Sequence, residues 1–84
     1  MDDIVSRLEK IFAEIFWNDP GPASEKTREN TASWDSLAHL NLVLSIEQEF
    51  GIALADPEVV GMTTFPAALA LVRAKVAGAV RGDA

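Results

Sequence analysis

The sharpest local feature of the chain is Trp34-Asp35-Ser36-Leu37, placed where a polar stretch gives way to a helical pattern. A serine at such a junction keeps its hydroxyl exposed at a helix N-terminus, where unpaired N–H groups and the positive end of the helix dipole favour an attached phosphate. The position is a good seat for a phosphodiester. The plain alternative is that Asp35 or Ser36 is only an N-cap, the commonest use of these residue types, and the motif taken alone favours it. His39, the only histidine, follows Ser36 by three residues and with Asp35 invites a catalytic-triad reading. Helical angles turn His39 toward the core while Ser36 faces solvent, and no glycine-rich turn offers an oxyanion hole. No catalytic residue and no metal site are therefore assigned, and His39 is expected to be half-buried. The chain has no cysteine, which excludes disulfides, thiolate metal sites and a cysteine nucleophile together, so any thiol chemistry must arrive on a cofactor.

The elements that must position these residues follow from periodicity. Ile4, Leu8, Ile11, Phe12, Ile15 and Phe16 recur at helical spacing, with Asp2 or Asp3 placed to cap a first helix that Asn18-Asp19-Pro20-Gly21-Pro22 stops. From there to Asp35 the chain is polar and aperiodic, a long loop expected to cross the bundle. Trp17 and Trp34, one at each end of it, are expected to pin it as anchors. A second helix is predicted from Asp35-Ser36 to Phe50, with Gly51 as its C′ residue. At 100° per residue, Leu42, Val43, Ile46 and Phe50 form one apolar face of that helix. Leu37, Leu40 and Leu44 form a second stripe pointing nearly the opposite way, a candidate partner surface. Asp56, as N-cap, and Pro57 open a short third helix that Gly61 ends. Thr64 caps a fourth, with Pro66 in its first turn and Phe65, Leu69, Val72, Val76 and Val80 facing inward. Arg73, Lys75 and Arg81 lie toward its carboxyl end, where cations suit the helix dipole. The expected fold is all-α: one small four-helix bundle over residues 1–84.

Eighty-four residues suit one domain without an enclosed catalytic pocket of its own. The formal charge is −6, and residues 36–61 carry Glu47, Glu49, Asp56 and Glu58 with no lysine or arginine. A negative middle repels nucleic acid and attracts basic protein surfaces. No apolar run reaches membrane-spanning length. Met1-Asp2-Asp3 puts acid where a secretory leader carries base, so a cytoplasmic location is expected.

The chain resembles the acyl carrier protein family, in its discrete, stand-alone form. The resemblance rests on Asp35-Ser36-Leu37, on Glu47-Gln48-Glu49-Phe50-Gly51 closing the second helix, on Ile52 to Asp56, and on Thr63-Thr64-Phe65 opening the last, with the spacing between them kept over nearly all residues. It implies that Ser36 is esterified by 4'-phosphopantetheine, donated from coenzyme A by a magnesium-dependent phosphopantetheinyl transferase, and that the arm's thiol carries acyl groups. Asp35 and Leu37 flank that site. Leu37, Leu40, Asn41, Leu44, Glu47 and Gln48 then resemble the surface read by acyl-loading and acyl-accepting enzymes. Leu42, Ile46, Phe50, Ile52, Leu54 and Met62 are the implied lining for a folded-back acyl chain, with plain core packing as the alternative. The expected role is that of a monomeric carrier, not an enzyme.

Two departures bear on the pathway. Ala38 and Asn41 stand where carriers of primary fatty acid synthesis tend to have acids, and Trp34 where a small residue is common. Trp-Asp-Ser-Leu-x-His-Leu is similar to discrete carriers of specialised systems, polyketide synthesis among them, without excluding fatty acid synthesis. The rival readings are a peptidyl or aminoacyl carrier and, in another class, an unmodified helical adaptor.

Overall fold

The structure, a computed structural model, describes residues 3–19 and 21–82, with side chains through residue 77. Among the described residues four helices follow one another: α1 Asp3–Ile15, α2 Ser36–Phe50, α3 Asp56–Gly61 and α4 Phe65–Gly82. A single 3₁₀ turn, Ala23–Glu25, interrupts the long α1–α2 loop. The all-α bundle with a short third helix matches the sequence pattern.

α1 buries Leu8, Ile11 and Phe12, with Ile4 and Ile15 packed partly against the core. Asp3 is already inside the first turn, where it pairs with Arg7 at 3.8 Å, and Asp2 lies outside the described residues. Phe16 is buried although it falls past the helix end, because its amide still reaches the Phe12 carbonyl at 2.9 Å. Its ring, with those of Phe12, Trp34 and Phe65, forms an aromatic cluster at centroid distances of 5.0–5.6 Å. α1, the loop and α4 meet there.

The loop crosses the bundle as its length suggested. Arg28 N–H donates to the Thr63 carbonyl at 2.8 Å and Phe65 N–H to the Lys26 carbonyl at 3.0 Å, which hooks the loop to the α3–α4 junction. Thr27 and Asn30 exchange backbone-to-side-chain bonds at 2.9 and 3.0 Å, closing a local turn. Asp19 accepts from the Ser33 amide and hydroxyl, joining the two ends of the loop. Lys26, a residue that sequence alone gives no reason to bury, is buried there with its Nζ on the Asp19 carbonyl at 3.0 Å.

α3 differs from expectation at its start. Its N-cap is Ala55, not Asp56, and Glu58, the third residue of the helix, reaches back to accept the Ala55 N–H at 2.8 Å, the half of a capping box that needs no side chain at the N-cap. Thr64 caps α4 as predicted, its Oγ1 accepting from Ala67 N at 3.1 Å. Phe65, Ala68 and Val72 are the buried positions of α4, with Leu69 and Val76 partly buried. The Val80 and Arg81 side chains lie outside the described residues.

Candidate functional site

α2 begins where its cap dictates. Asp35 has extended backbone (φ −97°, ψ −171°), and its Oδ1 accepts the Ala38 N–H at 2.9 Å, while its carbonyl accepts His39 N–H at 2.8 Å. Asp35 thus satisfies one orphan amide of the first turn, and helix geometry leaves those of Ser36 and Leu37 without an intrahelical acceptor. Ser36 is the first helical residue and is exposed. Its hydroxyl therefore stands in open solvent at the positive end of a 15-residue helix. At the other end Gly51 takes a left-handed conformation, φ 64°, which an L side chain rarely adopts and which turns the chain toward α3.

The two faces of α2 separate as their angles require. Leu42, Val43 and Ile46 are buried and Phe50 is partly buried, whereas Leu37, Leu40 and Leu44 are 69%, 55% and 48% exposed. Asn41 and Gln48 are exposed beside them. Glu47 differs: it is half-buried, and its Oε2 accepts the Leu54 N–H at 2.8 Å, so one face of its carboxylate braces the α2–α3 loop. On α3, Val60 is 73% exposed, a position that sequence reading passed over. The available signal was that a helix as short as α3 cannot bury both valines of a Val-Val pair.

His39 is more buried than expected, and its ring nitrogens point away from triad chemistry. Trp34 Nε1–H donates to His39 Nδ1 at 2.9 Å, and His39 Nε2 lies 2.8 Å from the Val59 carbonyl. Because Nδ1 accepts, the proton sits on Nε2 and is donated to Val59. Neither nitrogen is directed to Ser36 or Asp35. Trp34 is the anchor predicted for the loop. Trp17 is not: its ring is 78% exposed, because Phe16 takes the inward position at the end of α1 and leaves the next residue pointing out.

The residues suggested as acyl-chain lining are core or near-core. Leu42, Ile46 and Met62 are buried, and Phe50, Ile52 and Leu54 pack partly against them. Two surface cavities, of about 210 and 290 Å³, border other residues, chiefly Asp19 and Lys26 in the first and Arg7, Lys10 and Glu49 in the second. Beside the second, Arg7 clamps the end of α2: its Nε donates to Glu49 Oε2 at 2.7 Å, an Nη donates to the Glu49 carbonyl at 2.6 Å, and the guanidinium lies 4.6 Å from the Phe50 ring centre.

Among the described residues no group of three His, Asp or Glu side chains is placed to hold a metal ion, and no helix is long and apolar enough to cross a membrane. Two carboxylates are held below their ordinary range. Asp19 is lowered chiefly by the Ser33 hydroxyl, opposed next by burial, with the Ser33 amide and Lys26 adding lesser lowering. Glu58 is lowered chiefly by the Ala55 amide and next by Lys75, which it meets at 2.9 Å. Both lie in segments that brace the loop and α3. In comparison with known protein families, no family model matches the chain.

Proposed function

We propose that this protein is an acyl carrier in which Ser36 holds a 4'-phosphopantetheine arm. The observation that carries the reading is an exposed serine hydroxyl at the first position of α2, next to a stripe of exposed leucines on the same helix. The donor chemistry fits the group: a phosphodiester on Ser36 Oγ meets the amides of the first turn and the positive helix end, and nothing encloses it. When attached, the arm supplies the thiol that a chain without cysteine lacks, and acyl groups ride on it as thioesters. The residues of the chain then have simple tasks. Asp35 fixes the start of the helix, and Ser36 presents its oxygen to solvent. Leu37, Leu40 and Leu44, with Asn41, Gln48 and the free edge of Glu47, give visiting enzymes a small apolar stripe in an acidic setting.

A carrier of this kind works as a monomer in the cytoplasm, visited by a phosphopantetheinyl transferase and by acyl-loading and acyl-accepting enzymes with basic docking surfaces, and it is not itself an enzyme. The absence of acids at Ala38 and Asn41 favours a specialised acyl-transfer or polyketide pathway over housekeeping fatty acid synthesis. A peptidyl or aminoacyl carrier would use the same arm and site. The exposed leucine stripe also favours a second reading, an unmodified helical adaptor. Incubation with coenzyme A, magnesium and a broad-specificity phosphopantetheinyl transferase tests the difference: the carrier gains one phosphopantetheine by intact mass and Ser36→Ala gains none, whereas the adaptor stays unmodified.

A further inference from the structure

Three segments of chain meet on the imidazole of His39, one turn along α2 from Ser36. The Trp34 indole, two residues before Ser36, stacks on it at 6.1 Å between centroids and donates to Nδ1. The same indole is wedged against Phe12 and Phe16, at 5.5 and 5.0 Å, so it is fixed to the core. On its other side the imidazole donates from Nε2 to the Val59 carbonyl of α3. Apart from that bond, α3 is held by Val59, which packs partly against the core, and by Met62, buried at its C-terminal cap. It spans six residues, too few to be stable alone, and none of them is buried. Its other polar ties are the Glu58 bond to the preceding Ala55 amide and the Glu58–Lys75 pair at 2.9 Å, which is partly exposed and so partly screened. The bond to His39 is part-buried, and it joins α3 to the Ser36 end of α2.

We propose that His39 is a positioning residue that holds α3, and with it the exposed Val60, against the first turns of α2, so that an enzyme acting on Ser36 meets the two helices as one surface. The structural half of the inference stands on the geometry alone; the functional half rests on the carrier reading. Tautomer and placement suit the task, since one ring both accepts from a fixed donor and donates to a short neighbouring helix, which an aliphatic side chain cannot do.

The test uses the full chain in its unmodified form with His39→Leu, His39→Gln and the double variant Trp34→Phe/His39→Phe. Two readouts are taken: hydrogen exchange of the amides of residues 58–62, and the KM and kcat of a phosphopantetheinyl transferase for each protein. His39→Leu is expected to keep its far-ultraviolet helical signal, to exchange those amides about tenfold faster, and to raise KM about tenfold at unchanged kcat, the size expected for one hydrogen bond. His39→Gln, whose amide can accept from the indole and donate to the carbonyl, is expected to restore both. Should His39→Leu lose its helical signal, the double variant decides, because it removes the indole donor and its acceptor together and leaves neither orphaned. Unchanged exchange overturns the proposal, and so does faster exchange with an unchanged KM. Absence of modification in every form, wild type included, counts against the carrier reading instead, and exchange alone then decides whether His39 tethers α3.

Discussion

Ser36 carries the account at the scale of single residues, and its neighbours decide whether it is presented or hidden. Asp35 caps α2 through Ala38 N, and this leaves Ser36 with its hydroxyl outward in the first turn. Asp35→Ala removes the cap and is expected to cost about 1 kcal/mol. In a domain of this size that lowers the thermal midpoint by about 4–8 °C. The check is a melt followed at 222 nm. Asp35→Asn, which still offers an acceptor, is expected to stay within about 2 °C of the wild type. A midpoint for Asp35→Ala equal to the wild type would mean that the first turn is set by something other than its cap.

The helices and the loop explain why these residues stand where they do, and they mark how far sequence could see. Periodicity and capping residues located all four helices because each has an apolar stripe or a strong stop signal: Gly51 after α2, Thr64 before α4, the Asn-Asp-Pro-Gly-Pro run after α1. The opposite orientations of Leu42/Ile46 and Leu37/Leu40/Leu44 were legible from the helical angle alone. What was not legible depends on contacts distant in sequence. Trp17 and Trp34 look alike as loop-end aromatics, and only the inward turn of Phe16 decides that Trp17 is exposed. The burial of Lys26 follows from the Asp19 carbonyl reaching its ammonium, and no local pattern encodes that. α3 starts one residue earlier than expected because its N-cap, Ala55, is marked by no capping side chain, only by Glu58 reaching back to the Ala55 amide.

The ties of the loop and of α3 also predict an acid response. Asp19 and Glu58 are held below their ordinary carboxylate range in the folded protein, by Ser33 and by Ala55 with Lys75 respectively. A group depressed on folding contributes stability that is fully present above its unfolded value and is lost as pH falls through the folded one. The thermal midpoint is therefore expected to drop as pH falls from about 5 toward 3. In Asp19→Asn/Glu58→Gln, where neither group titrates, that drop is expected to be shallower. Equal slopes for the two proteins would remove these carboxylates from the account.

At the scale of the whole molecule, the chain carries a net charge of −6 and a narrow exposed apolar stripe, and on the carrier reading proposed above the two together suit brief docking better than one lasting complex. Charge steering acts through solvent and is screened within about 8 Å at physiological salt. Raising ionic strength is accordingly expected to increase the KM of the transferase for this protein with little change in kcat. Leu40→Asp, at the centre of the stripe, is expected to raise KM about tenfold at every salt concentration, since an exposed leucine that becomes buried on docking contributes through apolar contact. Circular dichroism guards against a folding defect, which the exposure of Leu40 makes improbable. A Leu40→Asp protein with wild-type KM would place the docking surface elsewhere on the bundle.

The central claim is covalent, and the measurement that meets it most directly is the mass of the peptide bearing Ser36 after the full chain has been incubated with coenzyme A, magnesium and a broad-specificity phosphopantetheinyl transferase, with a known carrier modified in parallel. The account predicts one phosphopantetheine on Ser36 in the wild type and an unchanged mass for Ser36→Ala. An unmodified Ser36 beside a fully modified control, or the group found on another residue, would contradict it.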